Sequence, residues 1–259
     1  DDAKRIKEII QEDKSRQEMY IKQAGHQIAK SRLFSYFSQS GKYNEYTNGL
    51  SYYYFISDLE KYYDEKFEEI SSNLALVSKL IFDKNNLTVG ITQPENDYNN
   101  FQIIFSNFLD KLHHEDNQQY DYKFDLSPAN EGLLTPVKIQ YVTKGYNFRR
   151  LGYDYNGSFP VFQNILSLDY LWNNIREKGG AYGAFVNFNL NGNMFFGTYR
   201  DPNLSESLDA FDKVSDYYQS FNPASREIEK YKIGTISDMD IPLTPSMKGS
   251  IAASRYFSQ

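Results

Sequence analysis

Along most of this chain apolar residues recur every three or four positions, the spacing that turns one face of an α-helix toward a core. Ile6, Ile10, Tyr20, Ala24 and Ile28 mark a helical region from Asp1 to about Ser38, and Gly41 to Gly49 reads as a polar break. Tyr63, Phe67, Ile70, Leu74, Val77 and Ile81 then step by four and three, one of the clearest amphipathic stripes in the sequence. Phe101, Ile104, Phe105, Phe108 and Leu112 predict another helix. Leu204, Leu208, Phe211, Val214, Tyr218 and Phe221 predict a third, which Asp201-Pro202, or Asn203 with Glu206, would cap. A helix from about Ser225 is broken off by Pro242 and Pro245; the last begins at Met247 and reaches Gln259 uncapped, so the chain is expected to stop inside an element.

Shorter stretches change period. Leu87 to Thr92 is a β-type run, but everything before it reads as helix or loop, and a lone strand is not stable. Its partners are expected further along or in residues outside this sequence. Residues 93–98, TQPEND, read as a linker, and Leu133 to Phe148 holds a half-buried strand marked by Val137, Ile139 and Tyr141.

The stretch from Leu168 to Pro202 organises the rest. Ile165, Leu168, Leu171, Trp172 and Ile175 form the buried face of a helix that Gly179 ends in the left-handed conformation, with Arg176 and Lys178 in its last turn. Tyr182, Ala184, Val186, Phe188 and Leu190 share one side of a strand; Asn191-Gly192 makes a tight hairpin, and Met194 to Arg200 returns. Arg176 and Tyr182 are thereby expected to project near one another across the glycine pair. On spacing alone Arg176 can serve the helix end and Tyr182 can simply pack its ring, while Arg200 and Asp201 read as a strand end and a helix cap.

Composition narrows the chemistry. The 259 residues are 40% hydrophobic and 17% aromatic, enough for a core; a mean hydropathy of -0.65 reflects 23 tyrosines counted as polar. Net charge is -6 with pI ≈ 5.2 and no strongly basic window, so neither nucleic acid nor an anionic membrane is an expected partner. There is no cysteine, which removes disulfides and thiolate chemistry and fits a reducing compartment. No apolar run approaches the ~20 residues of a membrane span. No signal peptide is visible, and a start at Asp1 leaves room for a removed upstream segment.

Familiar catalytic motifs are missing. The only histidines are His26, His113 and His114, and the run HHEDN offers Asp116 and Asn117 where an H-x-x-E-H zinc motif needs Glu and His. His113 and His114 point about 100° apart on a helix, and His26 is expected to pack at an interface. The carboxylates Glu60, Asp64, Glu65, Glu68 and Glu69 alternate with Lys61 and Lys66 as a solvated face does. KGGAYGA runs helix, glycines, strand, the reverse of a phosphate loop. There is no nucleophile elbow, so this chain alone has no machinery for hydrolysis.

The segments LWNNIREKGGAYGA and YRDPNL, with GHQIAKSRLFSYF and VKIQYVTKGYNF more weakly, resemble the C-terminal half of the presequence-protease and falcilysin branch of the insulinase-like (pitrilysin) zinc metallopeptidases. The resemblance implies an α+β, insulinase/LuxS-like metallohydrolase domain, an antiparallel sheet with helices packed on one face, preceded by a helical remnant of a neighbouring domain. Residues 1–95 would be the C-terminal part of the third family domain, mostly helical with one strand, and 96–259 the fourth, truncated at its C-terminus. In that family an arginine and a tyrosine six positions later come from the half without zinc and reach a substrate across a closed chamber; the matching residues are Arg176 and Tyr182, with Gly179 and Gly180 allowing close approach of a peptide backbone. No cofactor is expected on this chain, Zn and its ligands lying in the missing N-terminal half. That half and an unstructured peptide substrate are the implied partners, in the bacterial cytoplasm or an organellar matrix. The alternative is a catalytically inactive partner subunit or scaffold of the same fold.

Overall fold

A computed structural model describes residues 2–114 and 120–257. In chain order come α1 Asp2–Gln23, α2 Gly25–Phe34, α3 Gln39–Asn48, α4 Leu50–Lys61, α5 Tyr63–Ile81 and α6 Glu95–Leu109. Strand β1 Thr143–Asn147 is followed by α7 Ser158–Ile165, a π-helix over Leu166–Glu177, and strands β2 Gly183–Phe188 and β3 Asn193–Tyr199. Helices α8 Ser205–Asp212, α9 Val214–Ser220, α10 Ser225–Met239 and α11 Pro245–Phe257 complete the order. The class is α+β. Packing divides the chain into one unit made of the residues up to Tyr62 with Lys123–Met239, and a second made of Tyr63–Tyr122 with the stretch from Asp240 onward.

The first unit is built on an antiparallel sheet of order β1-β3-β2. Neighbouring residues of β3 face opposite ways, and both faces are covered. Phe196 stacks on Phe211 with centroids 5.2 Å apart, in a core with Leu166, Leu171, Ile175 and Val186. On the other face Phe195 meets Phe34 of α2 at 5.4 Å and Phe185 at 5.9 Å. The expectation of helices on one face is therefore corrected: Phe185, Phe195 and Tyr199 make the second face as apolar as the first, and α2 buries it. Beyond α2, Arg32 joins the helices to the segment before β1. It donates to Glu45, which is fully buried, at 3.1 Å, and to both oxygens of Glu131 at 2.7 and 3.0 Å. These bonds hold the Glu131 carboxyl below its usual pKa.

Several predicted boundaries move. The region from Asp1 to Ser38 splits at Ala24 (φ -120°, ψ 37°), and Gly41 to Gly49 lies in a helix, α3, whose N-cap Ser38 accepts from Gly41 N–H at 3.2 Å. The helix predicted over Leu204 to Phe221 is two, α8 and α9, and its N-cap is Leu204 without a side-chain bond. Asp201 instead accepts from Asn203 N–H at 2.9 Å and from Ser207 Oγ at 2.7 Å. The strand expected from Leu133 begins only at Thr143, because Arg200 takes a left-handed φ of 50° and ends the ladder, leaving a single bridge between Gln140 and Asp201. The hairpin turn is longer than predicted. A two-residue turn needs positive φ at both central positions, but here only Gly192 has it (φ 90°), and Asn189 pairs with Asn193 around three residues.

The second unit holds α5, α6 and α11. His113 and Lys84 join its chain segments through His113 N–H to Phe82 O at 3.2 Å and Lys84 N–H to His113 O at 2.8 Å. Leu87 to Thr92 is not a strand: it leaves a 3₁₀ turn at Lys84–Asn86 and finds no ladder partner among the described residues. The expected linker instead contains the start of α6, with Pro94 at its N-cap. The amphipathic stripe of α5 buries Tyr63 and Ile70, but leaves Leu74, Val77 and Ile81 49%, 47% and 63% exposed. Asp116 and Asn117 of the HHEDN run, and the last two residues of the expected C-terminal helix, lie outside the described residues. No helix among those described is long and apolar enough to cross a membrane.

Candidate functional site

The glycine pair sits where the π-helix gives way to β2. Hydrogen bonds in this helix reach the fifth residue, as in Lys178 N–H to Asn173 O at 3.2 Å. The wider turn changes which residues face inward. Leu166, Tyr170, Leu171 and Ile175 are buried in steps of four and five, whereas Leu168 and Trp172, predicted on the buried face, are 61% and 40% exposed. Side chains hold the helix down: Tyr170 donates to Ala210 O at 2.6 Å, and Asp169 accepts from Tyr217 at 2.7 Å and Asn173 at 2.9 Å. Burial, together with the bond to Asp169, pushes the Tyr217 phenol well above its usual pKa.

The helix ends with Gly180 N–H donating to Arg176 O at 3.0 Å and Ala181 N–H to Ile175 O at 3.1 Å. The left-handed residue is Gly180 (φ 77°), not Gly179 as predicted. Gly179 is needed for a different reason: a Cβ there would sit 2.6 Å from Ile175 O. Asn203 fixes the turn from the far side by donating to Gly179 O at 2.5 Å.

Arg176 and Tyr182 flank this turn, and both are exposed. The Arg176 guanidinium carbon lies 4.0 Å from the centroid of the Trp172 ring. Tyr182 sets its ring edge-on to Tyr199 at 6.0 Å, and its backbone N–H donates to Arg200 O at 3.3 Å. The two side chains are not hydrogen-bonded to each other, and among the described residues neither spends its donors on a hydrogen bond or ion pair within the protein. An arginine keeps its charge and a phenol its proton at neutral pH, so together they present donors to an acceptor from outside.

Behind Tyr182 lies a group that sequence reasoning treated only as packing. His26, in the first turn of α2, meets Tyr199 edge-on at 4.9 Å and Tyr141 at 5.8 Å, and its Nδ1 is buried without a partner. Burial, aided by Lys30, lowers its pKa. The contact across β3 and α2 has no local sequence signal. The groove of about 560 Å³ at the far end of β2, lined by Tyr155, Gln163 and Asn187 to Asn191, lies away from these donors and gathers no acid, base or nucleophile. Among the described residues no three His, Asp or Glu side chains stand close enough to hold a metal, so this chain's own groups do not fit a zinc site.

Residues 130–259 match the family description "PreP C-terminal domain", and residues 1–59 match a second family, described as associated with peptidases of this kind. The chain belongs to the presequence-protease family. It is 41% identical over its whole length to Protein HypA of Clostridium perfringens, covering 26% of that protein. It is 32% identical, over 98% of the chain, to Presequence protease 1, chloroplastic/mitochondrial, of Arabidopsis thaliana, covering 24% of it. With the mitochondrial presequence protease of Saccharomyces cerevisiae it shares 27% identity over 88% of the chain, again 24% of the relative. The chain thus spans about a quarter of the length of these members of the family. The family match spans both Arg176 and Tyr182.

Proposed function

We infer that this chain is the substrate-gripping, non-zinc part of a longer zinc metalloendopeptidase that degrades unstructured peptides. The observation that carries the reading is the pair of exposed side chains, Arg176 and Tyr182, whose donors are unspent on either side of one glycine turn. Aimed at a peptide carbonyl, a charged fork and a phenol on a stiff ring strengthen their bonds as negative charge develops on that oxygen. Gly179 and Gly180 leave the turn free of side chains, so an extended backbone can approach it. Zinc, its ligands and the general base belong in this proposal to an N-terminal half of the same protein, since the groups here do not fit a metal. Residues 1–95 are proposed as the end of a third family domain and 96–259 as part of the fourth, working in the bacterial cytoplasm or an organellar matrix.

The test uses the parent protein. Arg176→Ala or Tyr182→Phe should lower turnover of an unstructured peptide on the order of 10²-fold, with bound zinc unchanged. Near-normal turnover in both variants would sink the reading, and a parent reading frame without H-x-x-E-H would favour a non-catalytic scaffold instead.

A further inference from the structure

We propose that Trp172, the chain's single tryptophan, is the positioning residue for Arg176 and also holds Glu177 away from it; this rests on the peptide-gripping reading above. An exposed arginine on a long flexible stem samples many rotamers, and ordering it when a peptide arrives costs affinity. Here the guanidinium lies over the indole at 4.0 Å, an arrangement favoured by the ring's negative face. With one face covered by the ring, the donors that remain are those at the guanidinium's rim. That is the geometry for an acceptor approaching in its plane, a carbonyl or carboxylate of an extended peptide.

The same indole handles the neighbouring anion. Glu177 follows Arg176 in the chain, and its carboxylate accepts from Trp172 Nε1–H at 3.0 Å. A free carboxylate at that position would compete with a peptide for the arginine's donors. Trp172 thus receives the cation on its face and the anion at its N–H, and keeps the two from neutralising each other. The local winding makes this possible: the π-helix turns Trp172 outward, where α-helical spacing predicts burial.

Peptide turnover by the parent protein across substrate concentrations tests the assignment. Trp172→Ala should raise KM about two- to fivefold, with a smaller change in kcat. Adding Glu177→Gln should recover part of that loss, and Trp172→Phe, which keeps a ring face but no N–H, should fall between Trp172→Ala and the unaltered protein. In an Arg176→Ala background Trp172→Ala should have no further effect, because the residue acts through that arginine. An equal loss in both backgrounds would make Trp172 merely structural and overturn the proposal. If Arg176→Ala is crippling while Trp172→Ala is neutral, the proposal falls and the gripping reading stands; if Arg176→Ala is itself silent, both fall. On the 259-residue chain alone, Arg176→Ala should shift the emission of its one tryptophan, and unchanged emission would mean that the stack does not exist in solution.

Discussion

Leu171 and Ile81 hold equivalent places in two different units, each on the apolar side of an amphipathic helix, yet Leu171 is fully buried and Ile81 is 63% exposed. Charged pairs divide the same way. Arg32 reaches a Glu45 with no exposed side-chain surface, whereas Lys84 lies 3.7 Å from an Asp110 whose side chain is 80% exposed. In the first unit the sheet gives helices a broad surface on both faces. The second, among its described residues, has helices and no sheet, so the apolar stripe of α5 runs out of cover after Ile70. Periodicity therefore reports which face of a helix is apolar, and only the packing partner decides whether that face leaves water.

The sharpest way to break this contrast is a matched truncation. Leu171→Ala should cost about 3–5 kcal/mol, because a fully buried side chain leaves a cavity. Ile81→Ala should stay within about 0.5 kcal/mol in this chain. Denaturant unfolding followed by Trp172 emission reads the first unit directly, and similar losses from both variants would erase the distinction. Next in size, Arg32→Ala should cost about 3 kcal/mol by stranding the Glu45 carboxylate, against less than about 1 kcal/mol for Lys84→Ala.

A backbone effect comes third. Gly180→Ala, at φ 77°, should destabilise the turn by about 1–2 kcal/mol and reduce peptide turnover in the parent protein; an unaltered melting curve would mean that the turn relaxes elsewhere. The smallest effect is a pH dependence confined to the first unit. Burial lowers the folded pKa of His26 below its unfolded value of about 6.5, so as pH falls the unfolded chain takes up the proton first. The contribution is complete above that value and declines below it until the folded pKa is reached. His26→Phe should flatten this slope; an unchanged slope would assign it to other groups.

The glycine turn itself was legible in order and spacing: a helix ending near Arg176, two glycines, a strand beginning near Tyr182, a hairpin and a returning strand all lie close to where the apolar pattern puts them. Arg176, Tyr182, Gly179 and Gly180 were singled out by a family resemblance that rests on the same segment. What was not legible follows from interactions distant in sequence. The left-handed φ of Arg200 shortened β1 from across the sheet, and Leu87 to Thr92 lost its strand for want of a partner. His26 came to lie behind Tyr199 only because α2 crosses the second face.

By itself, then, the sequence determined the local elements, through apolar period, glycine placement and the absence of cysteine and of an H-x-x-E-H motif, since these depend on neighbours within a turn or two of the chain. Only the tertiary structure decided that the central helix winds as a π-helix, that Trp172 therefore points outward beneath Arg176, and that one set of amphipathic helices is covered while another is not. Those outcomes depend on which surfaces meet. A one-residue change in the number of residues per turn, or a single left-handed residue, alters that meeting without altering the pattern from which it is read.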